Sequence, residues 1–413
     1  MEKPILRKAA SAPKRNSDGA RPEFAHWLET TNEITRGFLA AASIPGLINM
    51  AGGLPAAETF PAGEVAEIAK RVVTEFPAET LGYGPIDGLP AFRDELARRF
   101  STPSLRLSRA NVLVTTSGMQ GLDLVGKIFL ERGDLVAGQF PTYLGAIDAW
   151  RPREPEYRRL MFNAEAFDPV AGLAGAQFAY TVPNFSNPSG KLVSLEMRKA
   201  LVAAAQQTGT WLVEDDPYGS LYYDDKPLPR LLDLAATDPA NGVYDGPVIY
   251  LGTLSKEIAP GLRVGWVIAA PDVIEAMTIA KQGSDLCTSG VTQHIALATM
   301  QDGIIERSRP AILALYRERR DALCAAMAEH LSEWFEWEVP VGGMFVWAVS
   351  RNPELDTDRL SEVALQAGVT VSPSSVFDPE LEYRRAIRVN FTLNSPERLE
   401  EGVRRLAQVM RTL

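Results

Sequence analysis

The sequence predicts an α/β fold: a mostly parallel sheet covered by helices on both faces, followed by a smaller α+β unit. Three observations carry this. Between residue 110 and about 270, short apolar runs alternate with helical patterns, as in sheets whose strands are joined by crossover helices. The runs are apolar throughout, as expected of strands buried on both faces. After about 270 the pattern changes to a long helical stretch and then to mixed strands and helices. The 413 residues suffice for two domains.

In chain order, residues 1–32 are expected to be a flexible tail, because Lys3, Arg7, Lys8, Lys14, Arg15 and Arg21 alternate with Ser, Ala and Pro and no apolar signal-peptide centre is present. A short helix is expected over Glu33 to Ala42, ended by Pro45-Gly46. Residues 33–75 are assigned to a segment packing on the smaller domain, with a second helix over 62–76. The paired Gly52-Gly53 imply a close backbone approach. The larger domain is placed at 76–290. It opens with a turn-rich loop holding Tyr83 and a helix at about 89–100. Strands are expected at Asn111 to Thr115, Leu135 to Ala137, Phe178 to Val182, Trp211 to Glu214 and Val248 to Leu251. Ser117 to Gly121 forms a small-residue turn opening a helix from Leu122 to Leu130, which presents free N–H groups to an anion. The smaller domain, 291–413, carries a long helix from about 292 through His330. Strands follow at Trp337 to Val339, Met344 to Ala348, Val369 to Val371 and Ile387 to Phe391, and a final helix at about 396–411.

Composition narrows the function. The chain is 46% hydrophobic and 23% charged, the balance of a soluble globular protein. A formal net charge of −10 argues against sequence-independent nucleic-acid binding. No apolar run approaches the roughly 18 residues that suggest a membrane span. Cys287, Cys324, His26, His294 and His330 are too sparse for a zinc cluster or a disulfide framework, so no metal is expected and a cytoplasmic location is.

The chemistry concentrates in Gly252 to Trp266, where an apolar strand runs into Thr253, Ser255, Lys256, a Pro260-Gly261 turn and Arg263. A lysine with a lowered pKa forms an imine with an aldehyde. Two hydroxyls and a guanidinium suit a phosphate monoester. Aldehyde plus phosphate describes pyridoxal 5'-phosphate (PLP). Other strand ends carry matching groups, where open α/β sheets bind ligands. Asn187 sits in a Pro-rich turn and suits a phenolate oxygen, as does Tyr218. Asp215 is placed to hold a ring nitrogen protonated, although a helix cap or a Mg²⁺ ligand explains it equally well in isolation. Tyr143 suits ring stacking, and Arg388 lies inside an apolar strand, where a substrate carboxylate or an internal ion pair would partner it.

In order and spacing these stretches resemble the PLP-dependent aminotransferases of fold type I, and within them the 2-aminoadipate and kynurenine/aromatic subgroup related to the MocR-type catalytic domain. The resemblance runs from about Glu33 to the C-terminus. It implies a large domain with a mostly parallel seven-stranded sheet, and an enzyme moving an amino group from an L-amino acid to a 2-oxo acid such as 2-oxoglutarate. It also implies PLP as cofactor, with Lys256 as the Schiff-base lysine, Asp215 at the pyridine nitrogen, Asn187 and Tyr218 at the ring oxygen, and Tyr143 stacked on the ring. Ser117, Gly118, Met119, Gln120, Thr253, Ser255 and Arg263 would hold the phosphate. Arg388 would take the α-carboxylate, Gly53 would line the substrate site, and Arg36 would meet an acidic side chain. Tyr83 would reach the site of a neighbouring subunit, which implies a homodimer with shared active sites. The chain departs from the subgroup at Met119 and Gly121, where Ser and Gln are usual, and at Ser374, where Gly is usual. A β-lyase or decarboxylase on the same scaffold, a ligand-sensing protein without turnover, and a Mg²⁺-dependent phosphate-binding protein using Asp215 and Asp216 are the competing readings.

Overall fold

The computed structural model describes residues 24–30, 44–162, 166–224, 226–236 and 242–413. The helix expected over Glu33 to Ala42, with Arg36, lies outside the described residues.

The centre is a seven-stranded sheet. Its strands are β1 (Val112–Thr115), β2 (Leu135–Gln139), β3 (Glu156–Leu160), β4 (Phe178–Thr181), β5 (Trp211–Asp215), β6 (Val248–Thr253) and β7 (Gly265–Ile268). Their spatial order is β1-β7-β6-β5-β4-β2-β3. Only β7 runs against its neighbours, β1 and β6; every other pairing is parallel.

The unbroken apolar runs are explained by two buried clusters, one on each face. Leu113, Tyr180, Val213, Ile249 and Leu251 point to one side with Leu122, Val125 and Trp150 of the covering helices. Val112, Val114, Ala179, Leu212 and Tyr250 point to the other with Phe92, Leu96, Leu201 and Met300. The strand period of two thus assigns alternate residues to opposite cores.

Beyond the sheet, Ile48–Asn49 pairs in parallel with Val369–Thr370. A four-stranded antiparallel sheet joins Phe335–Glu336, Phe345–Ser350, Ser372–Pro373 and Ala386–Asn390. The helix Pro396–Met410 buries Leu399, Val403 and Leu406 along one stripe. Helix Ala62–Glu75 shares the second core with Gly290–Gln301 through Ile68, Val72, Ile295 and Met300.

Three expectations change. The strand expected at Trp337 to Val339 is instead Phe335–Glu336, paired to Ser350 and Val349; Val339 is exposed and Pro340 follows it, so that stretch leaves the sheet. The long helix from about 292 is two helices, Gly290–Gln301 and Ile304–His330, broken where Gly303 takes φ 68°. The helix expected from Leu122 begins at Gly118, leaving Ser117 as its N-cap.

Candidate active site

The strand ends β4, β5 and β6 and the N-terminus of helix Gly118–Phe129 surround a cavity of about 340 Å³. Into it project Gly53, Ser117, Gly118, Met119, Tyr143, Asn187, Asp215, Tyr218, Thr253, Ser255, Lys256, Arg263 and Arg388. Residues more than 300 positions apart thus meet because the topology returns each chemical loop to one edge of the sheet.

The segment after β6 is folded by a few local contacts. Leu254 is fully buried and its N–H donates to the Val264 carbonyl. Pro260–Leu262 makes one 3₁₀ turn, and Arg263 adopts φ 50°, reversing the chain. The Arg263 guanidinium therefore reaches the Ser117 hydroxyl at 2.6 Å. Thr253 and Ser255 hydroxyls lie 2.9 Å apart beside it. Gly265 permits this approach: a Cβ there would lie 2.6 Å from the Ser117 carbonyl carbon and 2.8 Å from the Gly118 nitrogen.

Lys256 Nζ donates to the Gly53 carbonyl at 2.8 Å. Burial, then the charges of Arg388 and Arg263, pull its pKa down to about 8. A substantial share of this amine is therefore neutral near physiological pH, as a nucleophile requires.

Asp215 lies at the end of β5, with one oxygen held by the Tyr180 hydroxyl at 2.7 Å. Burial pushes its carboxyl up to about 7; the Tyr180 bond lowers it and the neighbouring Asp216 charge raises it. No described residue hydrogen-bonds its other oxygen. Asp216 turns the opposite way, to Asn184 and Tyr250, so the adjacent carboxylates do not converge as a metal pair would.

Arg388 is buried with no carboxylate partner among the described residues. Its guanidinium lies between the rings of Phe345 and Phe377, 4.3 and 4.7 Å from their centroids. It donates to Asn187 Oδ1 at 2.6 Å, to the Ala51 carbonyl and to Ser372 Oγ at 3.1 Å, leaving Nε unpaired. Burial depresses its pKa to about 10. A cation kept in this state calls for an anionic ligand. The Arg388 bond also orients the Asn187 amide, whose nitrogen side faces the Tyr218 hydroxyl.

Gln120 is not in the cavity: its Oε1 turns back to accept from the Thr116 N–H at 2.7 Å. Tyr83 is 91% exposed and lines no part of its own chain's cavity. The departures have local reasons. Met119 Sδ accepts from the Tyr143 hydroxyl at 3.4 Å. At Gly121 a Cβ would press on Leu251 at 3.2 Å, so the small residue seats the helix on β6. The Ser374 hydroxyl donates to the Tyr383 carbonyl at 2.7 Å and accepts from the Ala386 N–H.

Sequence reasoning missed Tyr180, Phe377 and the apolar lining of Leu54, Leu144 and Val182. Tyr180 was discoverable, since it stands on β4 beside β5 and near the end that carries Asp215. A larger cavity of about 460 Å³, lined by Asp216, Glu257, Arg230 and Arg309, lies behind the Lys256 segment. There Arg230 pairs with Asp233 and Arg309 with Glu257, while Asp216 is held by Asn184 and Tyr250.

The cavity joins an amine prone to neutrality, a carboxylate with an open oxygen and a guanidinium without a carboxylate partner among the described residues, a set that fits a pyridine aldehyde phosphate together with a carboxylate substrate. Comparison with known proteins agrees. The family model for aminotransferase class I and II matches residues 46–406. The chain is 36% identical to aromatic-amino-acid aminotransferase 1 of Thermococcus litoralis, over 91% of each chain. It superposes on an α-aminoadipate aminotransferase of Thermus thermophilus, complexed with N-(5'-phosphopyridoxyl)-L-leucine, with a TM-score of 0.83 and 32% identity, over 94% of this chain and 99% of that one. A kynurenine aminotransferase of Pyrococcus horikoshii gives a TM-score of 0.85 at 31% identity, covering 94% and 97%. From the cavity's donors and from this shared length, we conclude that the chain belongs to the class I and II aminotransferases, enzymes of the PLP-dependent fold type I.

Proposed function

We propose that the chain is a PLP-dependent aminotransferase taking its amino group from an L-amino acid of the 2-aminoadipate, aromatic or branched-chain type and passing it to a 2-oxo acid such as 2-oxoglutarate. The observation that carries the reading is the pairing, in one cavity, of an amine with a pKa near 8 and a buried guanidinium lacking a carboxylate.

Lys256 would hold the cofactor's aldehyde carbon. Asp215, ionised, would hold the ring nitrogen protonated. Asn187 and Tyr218 would donate to the ring oxygen, and Tyr143 would cover the ring face. Thr253, Ser255, Arg263, Ser117 and the N–H groups at Gly118 and Met119 would hold the phosphate. When bound to an amino acid, PLP withdraws electrons from Cα and so weakens its C–H bond. Lys256 Nζ, once free and neutral, accepts that proton. Arg388 binds the α-carboxylate and keeps Cα within reach of Lys256, with Gly53 lining the same space. Arg36 would meet a distal carboxylate in an acidic donor.

The assembly and setting belong to the same proposal. A homodimer would bring the exposed Tyr83 to the partner subunit's site, beside exposed Leu81. No described helix is long and apolar enough to cross a membrane. We place the protein in the cytoplasm, and the acidic net charge supports no nucleic-acid partner. The division into 76–290 and 291–413, with 33–75 on the smaller unit, draws support from the separate four-stranded sheet. Helices Ala62–Glu75 and Gly290–Gln301 nevertheless pack together in the core of the large one.

The test is a screen of amino donors against 2-oxoglutarate and pyruvate, following the amino group onto the acceptor. Ammonia and pyruvate released without an acceptor would instead mark a β-lyase; cofactor binding without turnover would mark a sensor.

A further inference from the structure

Asn184 occupies the junction of two loops that the reading above assigns to the cofactor. Its Nδ2 donates to Asp216 Oδ1 at 2.8 Å, next to Asp215. Its Oδ1 accepts from Arg198 Nη2 and from the Tyr222 hydroxyl, each at 2.7 Å. Arg198 is fully buried and directs its other donors to backbone carbonyls, Val193 at 2.9 Å, Pro229 at 2.9 Å and Pro183 at 3.0 Å. Asp216 is fixed from the far side by the Tyr250 hydroxyl at 3.2 Å, and its N–H donates to the Leu251 carbonyl.

The loop from Asn184 to Asn187 is stiff. Phe185 holds φ 52°, the Ser186 N–H donates to Lys191, and the Gly190 N–H returns to Ser186. A shift at Asn184 is therefore carried three residues on to Asn187, which Arg388 also grips. Asn184, Arg198, Asp216 and Tyr222 are buried, so loss of one bond among them leaves a desolvated polar group short of a partner.

We propose that Asn184, anchored by Arg198, is a positioning residue that locks the Asn187 loop against the Asp215–Tyr218 loop and so sets the spacing at which two points of the cofactor ring are gripped. The inference rests on the PLP reading of the Lys256 cavity. Asn184 itself lines the neighbouring cavity and touches neither ring nor substrate. Its effect is geometric, and misplacement by about 1 Å at such a site costs on the order of 100-fold in rate.

The test uses the full chain with Asn184→Ala and Asn184→Asp. Three quantities are read: the PLP dissociation constant of the apo-protein, the visible circular dichroism per bound cofactor, and the melting temperature of the apo-protein. The alanine variant removes the tie. The aspartate variant keeps an acceptor for Arg198 and Tyr222 but sets a second carboxylate against Asp216, so it parts the loops without emptying the site. Both should raise the dissociation constant about tenfold, the scale of one buried hydrogen bond, and change the dichroism per cofactor by at least a factor of two. A lower melting temperature with unchanged affinity and dichroism overturns the proposal, because a merely structural residue would behave that way. If the alanine variant does not fold, the aspartate variant decides alone by the same readings. Failure of the wild-type chain to take up PLP would sink the underlying cofactor reading. Wild-type uptake with indifferent variants would sink only the role of Asn184.

Discussion

Arg388→Met separates a binding role from a structural one. In the ligand-free protein Arg388 carries a buried charge, and depression of its pKa from 12.5 to about 10 corresponds to about 3 kcal/mol disfavouring the charged form. Methionine removes that cost. It forfeits the stacking between Phe345 and Phe377, about 1 kcal/mol for each ring, and the bonds to Asn187 and Ser372, about 2 kcal/mol together. The Ala51 carbonyl keeps the Ser372 hydroxyl at 2.9 Å, so it is not orphaned. These terms nearly cancel, and the apo-protein should melt within a few degrees of wild type. The substrate, by contrast, loses two charge-assisted bonds to its carboxylate, about 4 kcal/mol together, or about 1000-fold in affinity. Titrating the PLP-loaded protein with amino acid, followed by the cofactor's absorbance, measures this loss; PLP titration and a melt measure the rest. Equal losses of amino-acid and PLP affinity, or a fall of several kcal/mol in apo stability, would refute the reasoning.

Other consequences follow from the same geometry. With a pKa near 8, about one-tenth of Lys256 is neutral at pH 7, against about 1 in 3000 for an ordinary lysine. Capture of PLP by the apo-protein should accordingly quicken as pH rises from 6 and level off above about 8, falling more steeply below about 7 as Asp215 takes up a proton. A rise continuing unchanged to pH 10 would contradict it. Gly265→Ala drives a Cβ into the backbone at Ser117 and Gly118 and should cost about 2 kcal/mol, seen as a lower melting temperature and weaker PLP binding. Met119→Ser exchanges a weak contact to Tyr143 for a hydroxyl at the helix N-terminus, and should tighten PLP binding about fivefold by equilibrium titration.

Much of the site was legible because its residues stand at strand ends, where apolar runs stop abruptly at polar groups. Lys256, Asp215, Asn187 and Arg388 were each marked this way, and the structure brings them to one cavity. Gln120 was misplaced because a side chain in the first turn of a helix can turn back to its own chain, as it does to Thr116. The edge strand β3, Glu-Tyr-Arg-Arg-Leu, was hidden by its charges, which suit an exposed edge. The break at Gly303 left a signal in Asp302-Gly303, but helical periodicity continues on both sides of it. Phe377 carried none: its contact with Arg388 depends on a 3₁₀ turn, Ser374–Phe377, that no local pattern relates to Ala386–Asn390.

The most direct measurement is borohydride reduction of the PLP-loaded protein, followed by digestion and mass spectrometry. The mass of the reduced cofactor is expected on the peptide containing Lys256, and nowhere on a Lys256→Ala variant. Cofactor attached to a different lysine, or to none, would contradict the assignment of Lys256 and the chemistry built on it.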